Sequence, residues 1–289
     1  MKVVTTLAEL RDARAVLPSP FGLIPTMGYL HQGHLSLVRQ ACAECASVGV
    51  TIYVNPTQFG ANDDSNNYPR DFDRDLSLLE VEGVDLVWAP TDEDMYPPDF
   101  QTWVEVEALT RALEGIHRPG HLRGVTTIVA KLFNATQPDK AYFGQKDAQQ
   151  AVVIRRMVQD LNFPLKVVVC STVRESDGLA MSSRNSYLDP QQREAATVLY
   201  RALTAATQAF DAGERNAEAL RNIMSEVLST EPLARPQYVS VADPDTLAEL
   251  TGKVECALLS MAVYVGQTRL IDNMIVGDQG LGISKCTDP

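Results

Sequence analysis

Short apolar runs alternate with amphipathic stretches of helical length from the amino terminus to about residue 175. The runs over 21–24, 50–54, 84–88, 141–143 and 165–170 predict strands. A 3.6-residue apolar spacing over 7–16, 33–47, 71–82, 124–135 and 146–161 predicts helices. Strands separated by helical crossovers build a parallel, doubly wound α/β sheet, so residues 1–173 are expected to form a Rossmann-like domain. The polar stretch 61–67 reads as a mobile loop. A break rich in Ser, Asp and Gly follows at 173–189. Beyond it the pattern predicts helices at 190–211 and 214–229, then strands at 237–241, 256–265 and 270–276. Gly266-Gln267-Thr268-Arg269 is the expected hairpin connection. Residues 174–289 are therefore expected as a smaller α+β domain.

Composition narrows the classes of function. A length of 289 residues fits two domains of ~150 residues, and a hydrophobic content of 45% is ordinary for a globular chain. With 25 basic and 37 acidic side chains the net charge is −12, which repels phosphate backbones and argues against nucleic-acid or anionic-membrane partners. No apolar run approaches the ~20 residues that span a bilayer. The first six residues lack the apolar core of a signal peptide. Five scattered cysteines do not make a disulfide framework, so a reducing, cytoplasmic setting is expected. Cys42 and Cys45 have CxxC spacing but fall inside a helix, on the apolar face shared with Leu35 and Val38. They are read as core residues rather than a redox pair.

In a doubly wound sheet, ligands collect beyond the carboxyl ends of the strands. That rule selects four segments. Pro25-Thr26-Met27-Gly28-Tyr29-Leu30-His31-Gln32-Gly33-His34 follows the first run and places an HxGH pair at a helix start. Helix starts expose unpaired N–H groups and a positive dipole end, and imidazoles add donors, so the segment suits phosphate. A metal site or satisfied structural histidines are the competing readings. Gly28 and Gly33 have GxxxxG spacing, yet His34 and Leu35 stand where a P-loop needs Lys and Ser or Thr, and GxGxxG is absent. Gly144-Gln145-Lys146-Asp147 offers a cation for phosphate and an acceptor for ribose hydroxyls; taken alone it reads first as a capped helix with a surface lysine. Met181-Ser182-Ser183-Arg184-Asn185 can grip phosphate through hydroxyls and a guanidinium, or be a solvated loop. Asn55-Pro56-Thr57-Gln58-Phe59-Gly60 puts neutral amides at a strand end, suited to a small hydroxylated acid or simply to a turn.

Taken together, HxGH at a first helix and a Met-Ser-Ser-Arg loop about 150 residues later resemble the HIGH/KMSKS nucleotidyl transferase superfamily. Within it, the chain is similar to the pantothenate synthetase (pantoate–β-alanine ligase) family. The matching stretches are 25–38, 54–60, Tyr68-Pro69-Arg70, 118–124, 131–150, 174–188 and 270–273. The resemblance implies ATP contacts at Met27, Gly28, Tyr29, Leu30, His31, Gln32, Gly33 and His34. It extends them to Gly144, Gln145, Lys146, Asp147, Val173, Met181, Ser182, Ser183 and Arg184. It implies pantoate held by Gln58 and Gln150, with Gln58 also near β-alanine and Asn55 and His121 at the substrate site. His34, His31, Lys146 and Arg184 are implied as catalytic. Mg²⁺ is implied beside two acids, matched here by Asp73 and Asp75, although Arg74 separates the pair. His117 lies outside the motif and reads as a surface residue, and Gln145 replaces a family Glu.

The implied reaction has two halves. Pantoate carboxylate attacks the α-phosphorus of ATP, giving pantoyl adenylate and pyrophosphate; the β-alanine amine then displaces AMP. The first attacker is already an anion at neutral pH, so the site needs positioning and charge stabilisation rather than a nucleophilic Ser or Cys. The smaller domain and the 61–67 loop are expected to close as a lid over the adenylate. The resemblance also implies a homodimer. A transferase that keeps AMP on its product is disfavoured by Gln58 and Gln150, which suit a polyol acid. A nucleotide-sensing module would need the same grip without the acid pocket, and an aminoacyl-tRNA synthetase would need a basic surface.

Overall fold

The predicted alternation is realised as a six-stranded parallel sheet in the computed structural model, which describes residues 1–59 and 68–277. Gly60 and the expected loop over 61–67 lie outside the described residues. Contacts divide those residues into two units, one holding 1–59, 68–144 and 153–170, the other 145–152 and 171–277.

The elements run β1 (Lys2–Val4), α1 (Leu7–Ala15), β2 (Phe21–Thr26), α2 (Gln32–Glu44), β3 (Ser47–Ile52), α3 (Phe72–Val81) and β4 (Leu86–Trp88). They continue through α4 (Asp92–Met95), α5 (Glu114–His117), α6 (His121–Thr136), β5 (Lys140–Gly144), α7 (Ala148–Asp160) and β6 (Lys166–Cys170). Strand order is β1-β4-β3-β2-β5-β6, so the chain reverses direction across the sheet at β2. Such a switch point opens a crevice beyond the strand ends. β2 pairs with β3 over six residues, Phe21–Thr26 against Ser47–Ile52. Phe21 and Leu23 enter a core with Phe133, Ile154 and Met157, while Ile24 enters a second with Leu35, Val38 and Val50. Period-two alternation between two apolar layers explains why the run reads as continuously hydrophobic.

Several expectations are corrected. The predicted helix 33–47 stops at Glu44, and β3 starts at Ser47 rather than 50, because Ser47 Oγ donates to Pro18 O (2.6 Å) and Val48 N–H to Asp85 Oδ2 (2.8 Å). Cys42 is exposed, not core: the buried face of α2 runs through Leu35, Val38 and Ala41, leaving its thiol at the rim, 3.5 Å from the Glu82 carbonyl. Cys45 is the helix C-cap, with its sulfur 3.3 Å from the Tyr142 hydroxyl. α6 begins at His121, three residues early, because the αL residue Gly120 (φ 83°) turns the chain into it. β1, α4 and α5 are too short to carry a period and were not legible.

In the second unit, α8 (Pro190–Ala195), α9 (Val198–Asp211) and α10 (Ala217–Ser229) precede the antiparallel sheet β7 (Ala234–Ala242), β8 (Ala257–Val265) and β9 (Thr268–Val276), ordered β7-β8-β9. Leu199, Leu203, Leu220 and Met224 pack with Val241, Leu259 and Met261 in one core. The helix expected over 190–211 is broken because Thr197 Oγ1 bonds back to Glu194 O (2.8 Å), a local competitor of helix continuation. The hairpin turn is Gly266-Gln267 alone; Thr268 and Arg269 already pair in β9. Among the described residues, no helix is long and apolar enough to cross a membrane.

Candidate active site

The segment after β2 is built to a fixed shape. Gly28 (φ 81°) and Tyr29 (φ 51°) are consecutive left-handed residues, a conformation that needs support at Tyr29. Asp75 on α3 supplies it: its two carboxylate oxygens accept from Tyr29 N–H and Leu30 N–H, both at 2.7 Å. Asp75 is 1% exposed, and burial pushes its carboxyl pKa up against the opposing pull of those two bonds. A Cβ at position 28 would lie 3.0 Å from Asp75 Oδ2, a second reason for glycine there.

The turn delivers the chain to α2 with His31 as N-cap. His31 Nδ1 accepts from Gly33 N–H (3.1 Å), and His34 Nδ1 accepts from His31 N–H (3.3 Å). This reproduces a capping box with imidazoles in the roles of Ser and Glu. The ring centroids are 4.1 Å apart. A neutral imidazole whose Nδ1 accepts carries its proton on Nε2, so both rings are held in the Nε2–H donor form.

Gln58 ends a 3-10 turn, Pro56–Gln58, after β3. Its side chain donates to Met27 Sδ (2.9 Å) and accepts from Asn55 Nδ2 (3.1 Å). Asn55, 1% exposed, commits its other groups to Gly124 O (3.2 Å), Tyr96 OH (2.9 Å) and Thr57 Oγ1 (3.0 Å). His121 Nδ1 lies 2.7 Å from Gln58 O; a carbonyl only accepts, so this ring is the Nδ1–H tautomer, and its Nε2 accepts from Arg118 (3.0 Å). Gly124 lets α6 seat against this turn: a Cβ there would fall 2.4 Å from Thr57 O. Asn55 and His121 therefore hold the turn that presents Gln58. His117 is half-buried at the end of α5.

Asp73 and Asp75 stand in different surroundings. Asp73 is exposed, and both oxygens of Asp75 already accept backbone N–H groups. Among the described residues, no group of three His, Cys, Asp or Glu could hold a metal. A nucleotide-bound Mg²⁺ takes only one or two carboxylates beside phosphates and water, and the exposed Asp73 is the one of the two acids that could supply such a group. A cavity of about 410 Å³ lies behind the turn, lined by Met27, Tyr29, Tyr53, Arg70, Asp75 and Asp92 among others. Burial and the Asp92 hydrogen bond (2.9 Å) push the Tyr53 phenol pKa up, so it stays protonated.

The second unit carries the other predicted residues. Gly144 closes β5 in the first unit, and Gln145–Asp147 then forms a 3-10 turn into α7. Gln145, Lys146 and Gln150 are half-buried and Asp147 is exposed. Within the same unit, Val173 and Met181 close a small hairpin (Met181 N to Val173 O, 3.0 Å), bridged at Arg174 and Ala180. Ser182 caps the 3-10 turn Ser183–Tyr187 through its Oγ to Arg184 N–H (3.3 Å); Ser183 is buried and Arg184 half-buried. Sequence reasoning assigned no role to Arg118, which bonds His121 and the Gln58 carbonyl in the first unit, or to Asp272 and Asn273, which tie down these segments of the second. A charged and an amide side chain inside the apolar run of β9 were the available signal for the last two.

Fold and site together define the class: an α/β enzyme with a Rossmann-like core and an HxGH helix start. A family model described as pantoate-beta-alanine ligase matches residues 2–275. The chain belongs to the pantoate–β-alanine ligase family. It is 61% identical to the pantothenate synthetase of Roseiflexus sp. strain RS-1 over 276 residues, covering 96% of this chain and 99% of that protein. Identity to the pantothenate synthetase of Chloroflexus aggregans is 62% over 277 residues, covering 96% of this chain and 100% of the relative. The crystal structure of pantothenate synthetase from Thermus thermophilus superposes with a TM-score of 0.92 at 48% identity, covering 96% of this chain and 100% of that one. The pantoate-beta-alanine ligase of Francisella tularensis, complexed with beta-gamma ATP and beta-alanine, gives a TM-score of 0.79 at 33% identity, covering 95% and 97%.

Proposed function

We propose that this enzyme joins pantoate to β-alanine with cleavage of ATP, through pantoyl adenylate, releasing pyrophosphate and then AMP. The observation that carries the reading is the His31–His34 pair, both rings held as Nε2–H donors at a helix start that follows a parallel strand. Family membership and the ATP and β-alanine complex of the Francisella relative support it.

Binding is assigned as follows. Met27 through His34 take ATP phosphates and base edges, with the two imidazoles donating from Nε2 at the positive end of α2. Gly144, Gln145, Lys146, Asp147, Val173, Met181, Ser182, Ser183 and Arg184 serve the same nucleotide. Gln58 and Gln150 bind the hydroxyls and carboxylate of pantoate, and Asn55 and His121 act by fixing Gln58. In the first half-reaction, a carboxylate oxygen forms a bond to the α-phosphorus as the bond to pyrophosphate breaks. Negative charge grows on the phosphate oxygens and the leaving group. His31 and His34 donate from Nε2, and Lys146 and Arg184 supply full positive charge. In the second half, the neutral amine of β-alanine attacks the acyl carbon, the acyl–phosphate C–O bond breaks, AMP leaves, and the proton lost from the amine passes to the released AMP phosphate or to water. No side chain is covalently modified. A cytoplasmic setting and a homodimer belong to the same proposal.

ATP–pyrophosphate exchange measured with and without pantoate, followed by β-alanine addition, tests the reading. Pantoate-dependent exchange and AMP release only after β-alanine are expected. Formation of ADP, or exchange indifferent to pantoate, overturns it.

A further inference from the structure

We infer that Asn273 is a positioning residue that fixes the backbone carrying Lys146, and thereby sets where that ammonium acts in the ligation proposed above, on which the inference rests. Asn273 lies in β9, an edge strand of the antiparallel sheet, opposite Ser260 of β8. It is 3% exposed in a strand whose neighbours are largely apolar. Among the described residues, every bond its carboxamide makes goes to one two-residue segment. Nδ2 donates to Gln145 O (3.0 Å) and Lys146 O (2.9 Å), and Oδ1 accepts from Gln145 Nε2 (3.3 Å). Both carbonyls belong to the turn that starts α7, so they fix the Cα from which Lys146 extends.

Asn is the side chain this task demands. Two carbonyls need two donors on one nitrogen, and the remaining oxygen must accept from an amide. A carboxylate would set acceptor against acceptor, and an aliphatic group would leave both carbonyls unanswered.

The preceding residue extends the device. Asp272 Oδ1 accepts from Asn273 N–H (2.8 Å), and its carboxylate takes a bidentate Arg174 at 2.6 and 3.0 Å. Arg174 also donates to Gly178 O (3.0 Å), inside the hairpin that leads to Met181–Arg184. Adjacent residues of one strand thus tie down both segments that carry cations. A buried Asp–Arg pair is a poor stabiliser compared with an apolar replacement, so its use here is registry. A lysine on a fixed backbone needs less reorganisation to meet charge that develops in the transition state.

The test uses the full chain and three variants. Asn273→Ala removes all three bonds, Asn273→Asp keeps the shape but loses the donors, and Asn273→Ser keeps one donor. AMP formation is followed with ATP, pantoate and β-alanine varied in turn, and hydrogen exchange is followed on the 144–152 peptide. For Asn273→Ala, kcat/KM for ATP should fall about tenfold or more while the β-alanine KM stays within about twofold. Asn273→Asp should do at least as much damage, and Asn273→Ser should fall between. Exchange over 144–152 should quicken while α9 and α10 stay protected. This readout is independent of the reaction: a wild type that forms ADP sinks the proposed chemistry, and the exchange data still decide the positioning role. Unchanged ATP parameters with unchanged exchange overturn the inference. So does an equal loss for all three substrates with exchange quickened throughout the unit, the signature of plain destabilisation. If Asn273→Ala does not fold, Asn273→Ser is held to the same criteria.

Discussion

The two segments proposed to meet phosphate are fixed by opposite strategies. In the first unit the donors are neutral imidazoles fixed locally, each Nδ1 taking an N–H from within three residues. One remote group, Asp75, completes that turn from 45 and 46 residues away. In the second unit the donors are cations, and the bonds that hold the Lys146 turn come from Asn273, 127 and 128 residues distant. Neutral donors at a helix start can be pre-set by short-range capping with little desolvation. Long cationic side chains bring more charge but less order, and need tertiary anchoring.

The sharpest way to break the contrast is to remove one donor of each kind. His34→Ala and Lys146→Ala should each lower kcat about 10²-fold, roughly 3 kcal/mol of transition-state stabilisation, with melting curves confirming a folded enzyme. Turnover within about threefold of wild type for either variant would contradict its assigned role.

Next comes the one remote support of the first segment. Asp75→Asn keeps the shape, but turns one N–H acceptor into a donor. A buried N–H left unanswered should cost about 2 kcal/mol, read by urea unfolding, and should raise the ATP KM more than the β-alanine KM. A variant as stable as wild type would show that the turn holds itself.

Gly124→Ala probes only the side proposed to meet pantoate. Its Cβ would meet Thr57 O at 2.4 Å, so the turn bearing Gln58 must shift. Overpacking of this kind should cost about 1–2 kcal/mol and raise the pantoate KM with little change for ATP.

The smallest effect belongs to the surface of the first unit. Lys140 donates to Glu44 at 2.8 Å and holds the Glu44 carboxyl below its ordinary 4.5. The folded pKa is depressed, so this stabilisation is present above pH 4.5 and is lost as pH falls through the folded value. Glu44→Gln should therefore cost less than about 1 kcal/mol at neutral pH and flatten the acid side of the stability profile. An identical acid profile for the variant and the wild type would show that this pair contributes nothing to acid sensitivity.

The same contrast explains what was legible in the sequence. The HxGH start, the parallel strands and the β8–β9 hairpin are short-range patterns, and apolar period and turn chemistry reveal them directly. The family resemblance placed Asp75 beside Mg²⁺; its fixing of Tyr29 and Leu30 exists only once α3 packs beside the turn, and no sequence pattern announces it. Asn55 was read as a substrate contact from neutral amides at a strand end and His121 from the family resemblance; their bonds to the Gln58 turn depend on side-chain directions that the sequence does not carry. Cys42 misled because helical phase places a residue on a face without saying where the face ends. Asn273 sat in a matching stretch with no assigned role, because its partners lie in a turn more than a hundred residues earlier.

The central claim, attack of a carboxylate on the α-phosphorus, is tested most directly by isotope transfer. Pantoate labelled with oxygen-18 in its carboxylate is turned over with ATP and β-alanine, and the products are weighed by mass spectrometry. The account predicts one labelled oxygen in each AMP and one retained in each pantothenate. Unlabelled AMP, or label passing into inorganic phosphate beside ADP, would contradict it.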